Sequence, residues 1–380
     1  MDNMEQLIKV GITGQNGFMG SHLYNFLGTK PEVIERINFE REYFENPEDL
    51  EKFVATCDVI VHIAAMNRHE DPQVIYDTNV ALVNKLIDAC VATNVTPKII
   101  FSSSSQEVKD NLYGKSKKDG RQLLENWAKK NNSNVSSLVI PNVFGPFGKP
   151  FYNSFIATFC HQIILGEEPT VINDSNVDLI YINELSEIFY EEILKEHFNK
   201  INTITIAHTS SKKVSKILEL LKLYKTAYVD NGKVPNIPLK SFELQLFNTF
   251  TSFLPKNYFP RKFIQHTDQR GAFVEIMRAG TSGQTSFSTT VPGITRGNHY
   301  HTRKVERFAV ISGKALIKLR KINTNEVFEY VLEGSEPSYV DMPVWYTHNI
   351  TNIGSTDLIT IFWINEPYDP EDADTFFIEV

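Results

Sequence analysis

Along the N-terminal part of the chain, short apolar runs alternate with longer segments in which apolar positions recur every three or four residues. Ile8–Ile12, Val59–Ala65, Lys98–Ser102 and Val135–Ile140 read as strands, being compact β-branched runs bounded by turn residues. Between them Phe18–Leu27, Asn79–Val91 and Gly114–Lys130 carry helical spacing. Strands alternating with helices predict a Rossmann-type α/β fold with a doubly wound parallel sheet. From 153 to about 253 the pattern is mixed and more helical, with amphipathic stretches at Leu185–Leu194 and Val214–Tyr224. The run 252–262, SFLPKNYFPRK, carries two prolines and no periodicity. Beyond it strands become short and are separated by Gly, Pro and Asn: Ala272–Met277, Thr285–Thr290, Arg307–Ser312, Lys314–Arg320, Val327–Leu332, Ser338–Val340 and Leu358–Ile364. That pattern predicts an all-β barrel or sandwich. The expected organisation is an α/β domain over 1–252, a linker over 253–262 and a β domain over 263–380.

Composition narrows the partners. With 380 residues the chain exceeds one ordinary domain, and 42% apolar residues supply a core for each part. A net charge of −8 with no long basic run argues against a nucleic-acid surface. No apolar run approaches the roughly 20 residues of a membrane span, and the N-terminus MDNMEQLIKV lacks the apolar core of a signal peptide. The cytoplasm is the expected location. Cys57, Cys90 and Cys160 form no CxxC pair and read as buried, reduced thiols.

Two constellations carry chemistry. After the first strand, glycines at 14, 17 and 20 give GxxGxxG. Without Cβ atoms the chain turns tightly and approaches a pyrophosphate, and the following helix presents its N–H groups to the anion. Downstream, Tyr113 and Lys117 stand at i and i+4 and share a helix face. A nearby ammonium is expected to lower the phenol pKa, which suits tyrosine as general acid in ketone reduction. A serine of the run Ser102–Ser105 can complete the proton-transfer group. An acidic residue ending the second strand would bind the ribose 2′-OH of NAD, and 33–42 (VIERINFERE) gives no clear Asp there; Arg36 or Arg41 can instead meet a 2′-phosphate, which points to NADPH.

In the C-terminal part His299 and His301, at i and i+2, project to one face of a strand, Glu306 follows five residues on, and His348 supplies a third imidazole. Three imidazoles and a carboxylate suit a divalent metal: zinc, iron, nickel and manganese all fit.

The N-terminal half resembles the extended short-chain dehydrogenase/reductases: TGxxGxxG at Thr13–Gly20, VHIAA at Val61–Ala65, Asn79, SSS at Ser102–Ser104, YxxxK at Tyr113–Lys117 and PNVFGP at Pro141–Pro146 occur in that family's order. The resemblance implies that Tyr113 is the general acid, that Lys117 orients the nicotinamide ribose, and that Gly14, Gly17, Gly20, Phe18, Met19 and Ala64 line the cofactor, with Arg41 toward the 2′-phosphate. Ser104 is the chosen hydroxyl; Ser103 and Ser105 are alternatives. The serine run lies unusually near Tyr113, and Val139 stands where the family often has Arg.

The C-terminal part resembles the cupins, with Gly293, His299, His301, Glu306, Gly313, His348 and Asn352 in motif positions and Trp345 in place of a usual glycine. That resemblance implies His299, His301, Glu306 and His348 as metal ligands, zinc being the expected ion. DxRGxFxE at Asp268–Glu275 and Thr295-Arg296-Gly297 resemble the dTDP-4-dehydrorhamnose 3,5-epimerase relatives, which implies that Arg270, Glu275 and Arg296 hold a nucleotide diphosphate sugar. A histidine that ligates a metal has no lone pair left to act as base. Tyr300, Tyr346 and a metal-bound hydroxide are therefore the base candidates.

Reductase and epimerase-like cupin in one chain resemble a family of capsular polysaccharide synthesis enzymes over essentially the full length. The runs are PNVFG at 141–145, KPFYNSFIATFC at 149–160, PGITRGNH at 292–299, THNI at 347–350 and YDPEDADTFFIEV at 368–380. The resemblance implies a cytoplasmic homodimer with a UDP-sugar substrate. The cupin would epimerise C3 of a UDP-2-acetamido-2,6-dideoxy-4-keto hexose. The reductase would then reduce C4 with NADPH to UDP-2-acetamido-2,6-dideoxy-L-talose, a precursor of N-acetyl-L-fucosamine. The alternative is a monofunctional reductase whose cupin is a metal-stabilised dimerisation module.

Overall fold

The structure, a computed structural model, describes residues 7–196, 200–263, 265–268, 271–274, 283–366 and 369–380. Its contacts divide the chain into two compact units, one of residues 1–144, 148–155 and 175–213, the other of 145–147, 156–174 and 214–380. The α-helices of the described residues are α1 (Phe18–Leu27), α2 (Pro47–Thr56), α3 (Pro72–Thr93), α4 (Leu112–Asn131), α5 (Phe155–Leu165), α6 (Ile182–Leu194), α7 (Val214–Tyr224) and α8 (Phe242–Thr251).

The first unit holds strands β1 (Ile8–Thr13), β2 (Ile34–Ile37), β3 (Val59–His62), β4 (Lys98–Ser104), β5 (Val135–Ile140), β6 (Asn142–Phe144), β7 (Asn176–Tyr181), β8 (Ile201–Thr205) and β9 (Ser210–Lys213). Six of them form one parallel sheet in the order β2-β1-β3-β4-β5-β8. The expected doubly wound sheet is therefore present. Val10, Ile12, Ile60, Val61, Ile99, Ile100 and Leu138 are all buried, as strands covered on both faces require. A smaller sheet runs β6-β7-β9.

Helix α3 starts at Pro72, seven residues before the apolar spacing suggested. Its first turn is polar but well started: the Asp71 carboxylate accepts from Gln73 N–H at 2.8 Å, and Pro72 occupies the first helical position. Helix α4 begins likewise under Asn111, whose side chain accepts from Gly114 N–H at 2.7 Å. Gly120 lets α4 approach α3 and the sheet, since a Cβ there would meet Val83 at 3.2 Å and Phe101 at 3.4 Å.

The second unit carries β10 (Arg261–Lys262), β11 (Gln265–Asp268), β12 (Gly271–Val274), β13 (Gln284–Thr290), β14 (Thr295–Tyr300), β15 (Glu306–Ser312), β16 (Lys314–Lys321), β17 (Val327–Glu333), β18 (Ser338–Met342), β19 (Tyr346–Asn352), β20 (Leu358–Ile364) and β21 (Phe376–Phe377). Two five-stranded antiparallel sheets, β10-β18-β15-β20-β13 and β17-β16-β19-β14-β21, share one apolar core of Val310, Ile317, Leu319, Val340, Met342 and Ile350. The hairpin β11–β12 stands apart from both. Strands β14 and β19 are too polar to read as strands from hydrophobic pattern, and they carry two of the candidate ligands, His299 and His348; His301 follows β14 directly and Glu306 opens β15.

The contact division is interleaved along the chain, where the sequence suggests a single break over 253–262. An aromatic and ionic cluster within the second unit accounts for this. Tyr258 donates to the Tyr228 carbonyl at 2.8 Å, and Phe259 packs edge-on to Tyr339 at 6.4 Å. The Arg307 guanidinium lies 3.9 Å over Tyr339, pairs with the buried Asp341 through 2.7 and 2.9 Å bonds, and reaches the Gly232 carbonyl at 3.3 Å. These contacts draw 214–258 onto the β sheets.

All three cysteines are free and buried, and burial pushes the Cys57 and Cys90 thiols up to about 12. Among the described residues no helix is long and apolar enough to cross a membrane.

Candidate functional site

The glycine turn runs from the end of β1 into α1. Gly14 has φ +77°, and a Cβ there would lie 2.9 Å from Ala64 Cα. A Cβ on Gly20 would strike the Gly14 carbonyl. These glycines bring β1, α1 and the residue after β3 together, as a pyrophosphate cradle needs. Gly17 caps α1 in extended conformation without a side-chain hydrogen bond, and no acidic residue occupies the first turn, so the helix N-terminus is kept for an anion. Phe18 and Met19 are the first residues of that helix.

At the end of β2 the structure separates the two arginines. Arg36 stacks 4.3 Å over Tyr24 and donates to the Tyr24 carbonyl at 2.9 Å, which ties it to α1. Arg41 is exposed and has no ion-pair partner among the described residues. The residue next after β2 is Asn38. Its side chain accepts from Gln15 of the glycine turn at 2.5 Å, and Gln15 in turn accepts from Phe39 N–H at 3.0 Å. A neutral amide thus stands where an acidic residue would bind a ribose diol. Hydrophobic pattern gave no signal for this Asn38–Gln15 link.

Tyr113, Lys117 and the serine run meet at the carboxyl end of β4. The Ser104 side chain adjoins the Tyr113 phenol and acts to lower its pKa. Ser103 donates to Glu107, and Ser105 is exposed. The short connection works because 105–108 forms a single 3₁₀ turn started by Ser104 and Gly114 has no Cβ; one there would overlap the Gln106 carbonyl. Lys117 is buried and donates to the Ser102 carbonyl at 2.8 Å, with its ammonium 6.0 Å from the Tyr113 ring centre. The expected lowering of the phenol pKa is not found. Burial pushes Tyr113 up to about 12, against the lowering by Ser104, and Lys117 is itself lowered to about 8 by burial. Tyr113 therefore holds its proton firmly at neutral pH.

The four candidate ligands of the second unit converge: one donor atom each from His299, His301, Glu306 and His348 lies within 4.8 Å of the others. His301 Nε2 and His348 Nε2 stand 3.3 and 3.0 Å from Glu306 Oε2. These three buried atoms have no well-formed hydrogen bond and lie together at the centre of the cluster. The far nitrogens are used elsewhere. His301 Nδ1–H donates to the Asp374 carbonyl at 2.5 Å, and His348 Nδ1–H to the Tyr346 carbonyl at 3.3 Å. Burial opposes charge on Glu306, but the His301 and His348 imidazoles outweigh it and hold the carboxyl below the usual range. Burial, then the neighbouring His348 and His301, lowers His299 to about 4, leaving it neutral and able to ligate. Uncompensated buried nitrogens around a carboxylate fit a divalent cation.

Of the base candidates, Tyr300 stacks on Trp345 at 5.6 Å and packs on Phe376, within an apolar cluster. Tyr346 shares the inner face of β19 with His348, and burial pushes it up to about 12. Trp345 keeps the left-handed φ, +62°, that a glycine would adopt, and is buried while doing so. Arg296 lies exposed on β14. Arg270 and Glu275 lie outside the described residues.

A parallel strand, glycine turn and helix, with a serine–tyrosine–lysine group at the carboxyl end of β4, is the constellation of a short-chain dehydrogenase/reductase. Residues 10–203 match the NAD dependent epimerase/dehydratase family, and 266–376 match the Polysaccharide biosynthesis C-terminal domain. UDP-2-acetamido-2,6-beta-L-arabino-hexul-4-ose reductase of Pseudomonas aeruginosa is 34% identical over 98% of this chain and 99% of its own. The crystal structure of the capsular polysaccharide assembling protein CapF from Staphylococcus aureus has 34% sequence identity, covers 98% of this chain and 100% of its own, and superposes with a TM-score of 0.60. The spore coat polysaccharide biosynthesis protein SpsL of Bacillus subtilis matches 30% of this chain, at 26% identity, and 82% of itself. The chain belongs to the NAD dependent epimerase/dehydratase family and, by its full-length likeness, to the CapF-type reductases within it.

Proposed function

We propose that this protein is a bifunctional UDP-sugar enzyme of capsule or O-antigen synthesis. It would epimerise C3 of a UDP-2-acetamido-2,6-dideoxy-4-keto hexose in a cupin domain. It would then reduce C4 with NADPH, giving UDP-2-acetamido-2,6-dideoxy-L-talose for N-acetyl-L-fucosamine. The carrying observation is the presence in one chain of the Ser104–Tyr113–Lys117 group and the His299–His301–Glu306–His348 cluster. The Pseudomonas relative, named as a reductase of a 4-ketose, supports the reduction and the nucleotide sugar.

NADPH, when bound, supplies the hydride that reaches C4. Gly14, Gly17 and Gly20 hold its pyrophosphate, with Phe18, Met19 and Ala64 alongside; Arg41 meets the 2′-phosphate, and Lys117 holds the nicotinamide ribose. Tyr113 donates its hydroxyl proton to the C4 oxygen, turning ketone into alcohol, while Ser104 orients the carbonyl. A divalent cation, which we take to be Zn2+, would supply positive charge to the epimerising site when bound. His299, His301, Glu306 and His348 hold it. The C4 ketone acidifies the C3 proton; a base, Tyr300 or Tyr346 among this chain's side chains, would take it, and return of a proton to C3 from the opposite face would invert that centre. Arg270, Glu275 and Arg296 bind the diphosphate sugar. We further propose a cytoplasmic homodimer.

One observation favours a second reading: the full-length relative carries the name of a reductase only. There the cupin would be a metal-stabilised dimerisation module. The metal-loaded protein incubated with the 4-keto sugar in D2O, with and without NADPH, and followed by NMR separates the two. Deuterium at C3 without cofactor, and a C4 alcohol only with it, supports the bifunctional enzyme. Reduction with no exchange at C3 hands the chain to the second reading.

A further inference from the structure

The C-terminal run 368–380 stands out in sequence, and neither the reductase group nor the four ligands use it. Within the second unit its described residues, 369–380, run along the ligand-bearing strands. β21 pairs with β14, Phe377 opposite His299 and Phe376 opposite Tyr300. Ile378 N–H donates to the Asn298 carbonyl at 2.9 Å, and Thr347 beside His348 donates its hydroxyl to the Ile378 carbonyl at 2.5 Å. Arg303 forks onto Glu366 at 2.9 to 3.2 Å and reaches the Asp372 carboxylate at 2.7 Å. Lys304, buried, donates to the Ala373 carbonyl at 2.7 Å.

Asp374 is the centre of this clasp. It is buried, in left-handed backbone conformation with φ +45°. Its carboxylate accepts from the backbone N–H groups of Thr302 (3.1 and 3.2 Å), Arg303 (3.0 Å) and Lys304 (3.2 Å), and from the Thr302 hydroxyl at 2.6 Å. Those residues are the turn that links His301 to Glu306. Its main-chain carbonyl takes the proton of His301 Nδ1. One residue thus shapes the loop between two candidate ligands and selects the tautomer that leaves His301 Nε2 bare. A carboxylate accepting several N–H groups is a strong, directional anchor, and the carbonyl contact orients the imidazole as outer partners of metal-bound histidines do.

We propose that Asp374 is a positioning residue for the His/Glu cluster, so that cation affinity depends on the C-terminal segment. The inference rests on reading that cluster as a metal centre. The test uses the full-length protein stripped of metal and titrated with Zn2+ by calorimetry, with Co2+ and its visible absorption as a second probe. Asp374→Asn keeps a residue that tolerates φ > 0 and the main-chain carbonyl, and replaces one acceptor oxygen by a donor facing N–H groups. We expect Zn2+ affinity to fall at least about tenfold and the Co2+ band to change, while the metal-free melting temperature moves little. Thr302→Val, which deletes a single donor, gives a smaller loss in the same direction and serves if Asp374→Asn does not fold. Wild-type affinity and an unchanged Co2+ band in both variants would overturn the proposal. A wild-type protein that takes up neither ion overturns it too, but at the level of the metal reading, since the defect then precedes any substitution.

Discussion

Tyr113 and Lys117 sit at i and i+4 on α4, yet the ammonium does not set the phenol. Lys117 is spent on the Ser102 carbonyl, and burial governs both groups. Tyr113 is therefore a proton reservoir and Lys117 the titrating member. Its folded pKa, about 8, lies below the ordinary lysine value, so the free enzyme loses this charge as pH rises through about 8. NADPH affinity, read by fluorescence, should be flat below that pH and fall by up to about tenfold per unit above it. Lys117→Met should bind weakly and without this slope. Tyr113→Phe should lose on the order of 10²–10⁴ in reduction rate and keep cofactor affinity.

Asn38 makes a second residue-scale prediction. Its amide accepts from Gln15, a bond that a carboxylate would also accept. Asn38→Asp keeps the acceptor for Gln15, loses the bond its amide donates to Glu40 at 2.7 Å so that the exposed Glu40 must turn away, and should repel a 2′-phosphate and accept from a ribose diol. The NADPH to NADH preference in kcat/KM should fall about tenfold or more. An unchanged ratio would place the adenosine ribose away from Asn38.

At the scale of elements, the turn before β19 keeps the conformation of a glycine with a tryptophan in it. Left-handed φ at Trp345 costs on the order of 1 kcal/mol. The fully buried indole, stacked on Tyr300, returns more: deleting a buried tryptophan costs about 3–5 kcal/mol. Trp345→Gly should therefore destabilise the second unit by about 2 kcal/mol or more despite relieving the backbone. A thermal melt of the metal-free protein checks the sign, and a rise in melting temperature would mean that strain dominates. The same comparison explains why β14 and β19 escaped the hydrophobic pattern. His299, His348 and Asn352 interrupt the apolar positions of these strands, and their place is justified by the cluster and by hydrogen bonding rather than by apolar burial.

At the scale of the whole molecule, the two activities proposed for this chain should be separable. Glu306→Gln should abolish C3 exchange while sparing reduction of a ketose already inverted at C3, and Tyr113→Phe should do the reverse. Mixed in one tube, the two variants should regain the reduced product that neither forms alone from the 4-keto hexose. If the mixture stays inactive, either the intermediate is not released or the second unit carries no epimerase activity; exchange by Tyr113→Phe alone decides between them.

Much of this protein was determined by its sequence. Local periodicity and turn residues specify Phe18–Leu27, Val135–Ile140, Val214–Tyr224 and Leu358–Ile364 to the residue, because those elements are held by their own apolar spacing. Short motifs named Tyr113, Lys117 and the four ligands, because that chemistry needs those side chains at those intervals. What only tertiary structure decided depends on partners distant in the chain. Ser104 is singled out by where the phenol lies, Arg36 is withdrawn by Tyr24, and Asn38 is joined to Gln15 across 23 positions. Asp374 reaches His301 and its turn across about seventy residues, and no local pattern encodes a contact of that span.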